Sequence, residues 1–145
     1  MTDTTGDTIA TAVADFATTR DAAGLLLVAC GFGDVRIDRQ PKGAGFTITY
    51  TATDQAGERW AFEVCRADAL WKGLGKASVL RHDPTWQPPL ILLTTTLPAP
   101  GTALAQALRV MRGPDRPVFD AVEILDPASH RRLAEIAAGR ARQDR

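Results

Sequence analysis

The groups best suited to chemistry, the carboxylate of Glu63 and two lysines, lie close together between Arg59 and Leu80. Glu63 stands near the end of the apolar run RWAFEVC, and Lys72 and Lys76 follow in the run WKGLGKA. A carboxylate can hold a divalent metal ion, and an ammonium group can stabilise negative charge that develops on a phosphate. These residue types indicate metal-assisted hydrolysis of a phosphodiester, provided that the fold brings them together.

The segments around these residues have the patterns of a β-hairpin and a following helix. FTITYTAT and ERWAFEV alternate in polarity, and the DQAG between them is typical of a turn. The apolar positions that recur at helical spacing after the hairpin are Leu70, Leu74, Ala77 and Leu80. They predict a helix over residues 69–81. We therefore expect Glu63 on the second hairpin strand, opposite residues 47–50, with both lysines on the helix.

The remaining segments predict an α+β fold with a mixed sheet. An amphipathic helix is expected from Asp7, and the helical stretch 21–30 either continues it or follows a bend, with Gly31 closing it. Further elements are an edge strand at 35–38, a central strand buried on both faces at 90–94, a helix at 102–112, a strand at 118–125 and a last helix from Asp126 and Pro127 to Ala138. This alternation places helices on both faces of the sheet.

Composition indicates one globular domain. The chain has 145 residues, 45% of them hydrophobic, and its 17 basic and 17 acidic residues balance. We expect a single domain over 1–145, with 1–6 disordered and 140–145 frayed. Cys30 and Cys65 lie in apolar runs, which predicts buried thiols in a cytoplasmic protein. No apolar run is long enough to span a bilayer, so no membrane association is expected.

The element order αβββαβ, a hairpin strand that ends in FEV, and the WKGLGKA helix resemble the restriction-endonuclease-like, or PD-(D/E)xK, fold. The resemblance covers about residues 7–97 and implies a three-layer core followed by an αβα extension. It implies one of two functions. The first is a nuclease, specifically a Mg²⁺-dependent endodeoxyribonuclease, and the second is a DNA-binding relative without catalysis. In this family two carboxylates bind the metal, and a lysine two residues after the second acid stabilises charge. Glu63 matches that acid, whereas Cys65 stands at the position of the lysine.

The following helix can supply the missing lysine in some members of the family. Lys72 and Lys76 lie four residues apart, so either can substitute for the residue absent at Cys65. Both fall nearly opposite the apolar positions of the helix, which favours solvated lysines instead. Together with Arg81 they form a basic strip that could contact DNA.

The second metal-binding carboxylate has no match of comparable quality. Asp54 is expected to be a turn residue, because Glu63 lies several residues up its strand from the turn. Asp38, at the end of the preceding strand, is the candidate metal ligand beside Glu63, and Asp15 is its alternative.

Three functional classes follow from these residues. The first is a nuclease that uses Glu63 with Lys72 or Lys76. The second is a catalytically degenerate relative that binds DNA, where the balanced net charge requires a local basic patch. The third is a non-enzymatic α+β domain that binds a protein partner, a second copy of itself or a small molecule.

Overall fold

The computed structural model describes residues 18–43 and 45–140, which form four α-helices and a five-stranded sheet. In chain order the elements are α1 (Thr19–Cys30), β1 (Gly33–Arg39), β2 (Ile48–Thr53), β3 (Arg59–Cys65), a 3₁₀ turn (Ala67–Ala69), α2 (Leu70–Arg81), β4 (Leu90–Thr94), α3 (Ala103–Met111), β5 (Asp120–Glu123) and α4 (Pro127–Ala137). The α+β class is confirmed. The helix expected from Asp7 and the terminal segments 1–6 and 141–145 lie outside the described residues.

The sheet combines an antiparallel meander with two parallel crossovers. Its strand order is β1-β2-β3-β4-β5, in which β2 runs antiparallel to β1 and β3, and β3, β4 and β5 are parallel. The predicted burial of β4 is confirmed, and β4 pairs with β3 so that Glu63 is in register with Leu92. The middle strand is β3, whereas the sequence favoured β4 for that place. None of the helices in the described ranges has the length and apolar character needed to cross a bilayer.

Helices cover both faces of the sheet, as predicted. On the first face, residues of α1 such as Leu26 pack with Phe62 of β3, and α4 joins the same core. On the second face, Leu74 of α2 packs with Ala61 of β3, and α3 joins that core. Because side chains alternate along a strand, Glu63 shares the side of Ala61 and points towards α2.

The helix boundaries follow capping residues. The Thr18 hydroxyl accepts a hydrogen bond from the Asp21 backbone N–H at 3.1 Å, and α1 begins directly after it. Gly31 closes α1 with a φ of 109°, in the left-handed region that glycine adopts without strain. Asp126 caps α4 and Pro127 occupies its first turn, as the sequence predicted.

The edge strand β1 is longer and less regular than the predicted 35–38. Asp34 and Asp38 have positive φ values of 48° and 53°, and the pairing with β2 shifts between Gly33 and Arg36. Aspartate tolerates this conformation better than most residues do. A bulged edge discourages pairing with further strands, which matters here because Ile37 is 56% exposed.

The turn between β2 and β3 contacts the end of α4. The Gln55 backbone N–H donates to the Ala137 carbonyl at 2.7 Å. Gly139 lies against Ala56 so closely that a Cβ at position 139 would come within 2.8 Å of the Ala56 side chain. The tip of the hairpin is therefore fixed by a segment about eighty residues further along the chain.

Candidate functional site

Glu63 is buried on the second face, and both of its carboxylate oxygens have partners. Tyr50 pairs with Phe62, so Thr49 lies directly opposite Glu63, which confirms the predicted register. The Thr49 backbone N–H and hydroxyl donate to Oε1 at 3.0 and 2.7 Å, and the Lys76 ammonium donates to Oε2. The carboxylate thus accepts three hydrogen bonds inside the protein.

Only one of the two predicted lysines reaches this carboxylate. Lys72 is exposed, whereas Lys76 donates both to Glu63 and to the Thr47 carbonyl, the latter at 2.9 Å. A helix turns about 100° per residue, so four residues bring Lys76 about 40° closer than Lys72 to the buried side that Gly73 marks. This rotation is enough to turn the ammonium inward along the edge of α2.

Asp38, the candidate second carboxylate of a metal site, does not lie beside Glu63. Asp38 forms an ion pair with Arg20 of α1 at 2.6 Å, and α1 covers the opposite face of the sheet. Asp15 lies outside the described residues. Within residues 18–43 and 45–140, no group of three or more His, Cys, Asp or Glu side chains could hold a metal ion. With both Glu63 oxygens already engaged, the arrangement does not fit Mg²⁺.

Position 65, where the family pattern expects lysine, is closed by packing. Cys65 is 3% exposed, and its Sγ lies 2.6 Å from where a Cβ on Gly73 would stand. Burial, with a smaller contribution from nearby Glu63, raises the pKa of this thiol to about 12. A lysine here would have no room beneath α2, so Lys76 is the only cation that reaches Glu63 among the described residues.

Asp54 acts as the turn residue that the sequence predicted, and it also anchors a tryptophan. Its Oδ1 accepts hydrogen bonds from the backbone N–H groups of Ala56 and Glu58, both at 2.9 Å. Its Oδ2 accepts from the Trp60 indole N–H at 2.9 Å. No sequence pattern indicates the contact with Trp60, because the two residues meet only once the hairpin has closed.

The predicted basic strip on α2 is interrupted. Lys72 and Arg81 are exposed, and Arg81 donates to the Asp115 carbonyl at 2.8 Å. Lys76 lies between them in sequence, but its side chain is only 12% exposed. Two separate cations therefore remain for contact with a partner.

A second basic surface was not predicted. We call it the arginine groove, a depression of about 290 Å³ lined by Arg36, Arg39, Gln40, Thr51, Arg59, Trp86 and Pro88. The only sequence signal was the number of arginines around the hairpin, which spacing alone does not assign to one face. The groove and Glu63 share the second face, since Thr51 stands two residues from Thr49 on β2.

A comparison of the chain with protein-family models, with curated proteins and with solved structures finds no match. The function is therefore argued from the geometry of Glu63, Lys76 and the exposed cations.

Proposed function

We propose that the protein is a nucleic-acid-associated relative of the PD-(D/E)xK group in which Glu63 and Lys76 stabilise the fold and take no part in hydrolysis. The observation that carries the proposal is the enclosed ion pair, whose side chains are 7% and 12% exposed. The family resemblance implies a carboxylate and a lysine at this place in the hairpin and helix. Here the lysine comes from α2, and the pair is closed to solvent.

Burial argues for the structural role of this pair. A substrate phosphate or a metal ion would have to displace Lys76 from a carboxylate that has little access to water. Removing one partner of a buried ion pair is costly, because the remaining charge is left uncompensated. The three hydrogen bonds to Glu63 add to this cost.

Nucleic-acid binding is supported by exposed cations in a chain with no net charge. Lys72 and Arg81 lie on α2 with their side chains exposed to solvent. If each of these two cations neutralises one phosphate, log affinity for duplex DNA falls against log salt with a slope of about −1.8. Binding of this kind is weak at physiological salt and measurable at low salt.

The test is a titration of labelled duplex DNA at several salt concentrations. Lys72→Ala should weaken binding and flatten the slope by about 0.9 if its ammonium contacts one phosphate. Arg131→Ala is the matched control, since it removes an exposed cation on α4, over the first face. Equal losses in both variants, or no binding at low salt, would refute the proposed surface.

The nuclease hypothesis is tested with the same duplex in the presence of Mg²⁺ or Mn²⁺. The proposal expects no cleavage by the unmodified protein. Cleavage by the unmodified protein that is lost in Glu63→Gln would support the nuclease hypothesis and contradict the structural role of the pair.

A protein-interaction domain is the second candidate, favoured by an exposed apolar stripe on α2. Trp71 and Val79 are 56% and 50% exposed, and Gly75 lies between them with open space at its Cβ position. Their spacing of four residues aligns the three on one side of the helix. Sedimentation of the unmodified protein and of Trp71→Ala checks for a homodimer through this stripe.

A further inference from the structure

The arginine groove has the features of a binding site that is independent of Glu63. Its walls come from β1, β2, β3 and the loop before β4. Its volume of about 290 Å³ is near the lower end of small-ligand pockets. A ligand the size of a single nucleotide fits this scale better than an extended chain does.

The irregular backbone of β1 explains how two of its arginines reach one groove. In a regular strand, Arg36 and Arg39 would face opposite sides, because they are three residues apart. Asp38, with its φ of 53°, departs from the extended conformation between them, although β1 continues and keeps its register with β2 from Arg36 to Arg39. Ile48, the partner of Arg39 on β2, packs into the core of the second face. Because paired residues lie on the same side of a sheet, Arg39 also lies on the second face, where the groove is.

Two of the three guanidinium groups are held in place. Arg59 donates to Asp34 at 3.0 Å and to the Thr51 hydroxyl at 2.9 Å, and Arg36 donates to the other oxygen of Asp34 at 3.1 Å. These contacts fix donors at the groove before any ligand arrives, which lowers the entropic cost of binding.

The charge of the groove favours an anion. The groove carries three guanidinium groups, on Arg36, Arg39 and Arg59. The single carboxylate of Asp34 offsets one of these charges, which leaves two positive charges. The Arg39 side chain is exposed and has no hydrogen bond or ion pair with any described residue. Its planar fork is therefore available for bidentate contact with a phosphate.

Trp86 provides an aromatic wall beside these cations. Its loop is held by Asp83, whose carboxylate accepts from the Thr85 backbone N–H at 2.9 Å, and by the prolines that follow. The indole Nε1 is buried without a hydrogen-bond partner among the described residues. Base–aromatic stacking beside a cationic groove is the usual way in which proteins hold unpaired nucleotides.

We propose that the arginine groove binds one nucleotide, with its phosphate on Arg39 and Arg36 and its base against Trp86. The nucleotide can be free or an unpaired unit of a single strand, since both present a phosphate next to a planar base. This site does not require the duplex binding proposed for α2, nor any chemistry at Glu63.

The test is calorimetric titration with AMP, with a short single-stranded oligodeoxyadenylate and with inorganic phosphate. We expect Arg39→Ala and Trp86→Ala each to weaken nucleotide binding on the order of tenfold, and Trp86→Phe to restore most of the loss. Arg131→Ala and Trp71→Ala are matched controls, because they remove an exposed arginine and an exposed tryptophan outside the groove. Circular dichroism verifies that each variant is folded.

The separate titrations distinguish a free nucleotide from a unit of a single strand as the ligand. AMP binding alone identifies a free nucleotide, and oligonucleotide binding alone identifies a strand; either supports the proposal. It is overturned if neither binds, if the controls lose as much affinity as the groove variants, or if inorganic phosphate or a phosphotyrosine peptide binds as tightly as AMP. If neither AMP nor the oligonucleotide binds while duplex binding still depends on Lys72, this site fails and the function proposed above stands.

Discussion

Lys76 of α2 and Glu63 of β3 form the contact through which three elements of the second face are joined. Glu63 accepts hydrogen bonds from Thr49 of β2 as well as from Lys76, so one carboxylate links the helix to both strands of the hairpin. Because the pair is enclosed, its energetic effect should appear in the stability of the protein.

Removal of the ammonium should expose this effect. Lys76→Met leaves the buried Glu63 carboxylate without its cation and should lower the free energy of unfolding by about 3 kcal/mol. Adding Glu63→Gln to Lys76→Met should recover part of the loss, since no uncompensated charge then remains. Urea denaturation of the two single variants and the double variant gives the coupling energy. Lys72→Met, on the exposed side of α2, is the control; a similar loss there would contradict the assignment.

The two glycines of α2 should respond to alanine in opposite directions. At Gly73 an added Cβ would lie 2.6 Å from Cys65 Sγ and 3.2 Å from Leu92 Cδ2, and overpacking of this kind costs about 1–3 kcal/mol. At Gly75 the Cβ would meet nothing within 4 Å, so the higher helix propensity of alanine should stabilise by up to about 1 kcal/mol. Thermal denaturation of both variants measures the difference. Stabilisation by Gly73→Ala would show that α2 lies further from the sheet than described.

Asp54 should contribute far more stability than its place in a turn implies. Asp54→Ala removes the acceptor for two backbone N–H groups and leaves the buried indole N–H of Trp60 without this partner, which should cost about 3 kcal/mol. Asp83→Ala, which removes a similar turn contact at an exposed site, should cost about 1 kcal/mol or less. Chemical denaturation compares the two. Equal costs would argue that the Trp60 contact contributes little.

The cysteines should be unreactive until the chain unfolds. Burial raises the pKa of the Cys30 and Cys65 thiols to about 12, compared with about 8.5 for a free thiol. The folded protein therefore retains these protons to higher pH than the unfolded chain does. Their contribution to stability is complete below about pH 8.5 and declines as the pH rises towards 12. Ellman's reagent at pH 8 should label both thiols slowly in buffer and rapidly in urea, and fast labelling in buffer would disprove their burial.

Much of the fold could be predicted because its signals are local. The hairpin was evident from alternation on either side of a turn, and the start of α4 from Asp126 followed by Pro127. The extent of β1 was underestimated because its side chains are mostly exposed on both sides and show no alternation. Asp34 and Asp38 adopt left-handed backbone conformations that make this strand irregular, and no sequence periodicity indicates such conformations.

The candidate site was predictable only in part. The position of Glu63 opposite residues 47–50 followed from strand register alone. Whether Lys72 or Lys76 reaches Glu63 depends on the rotation of α2 about its axis. The apolar pattern of the helix defines this rotation only to within the width of its apolar face. The arginine groove could not be foreseen, because regular alternation assigns Arg36 and Arg39 to opposite sides.

The contact between Gln55 and Ala137 sets a condition on the order of folding during synthesis. The hairpin residues leave the ribosome long before the carbonyl that receives the Gln55 N–H has been made. Until then the tip of the hairpin lacks this backbone partner and the packing of Gly139 against Ala56. The nascent chain can form the hairpin early, but its tip must wait for α4 to emerge and dock.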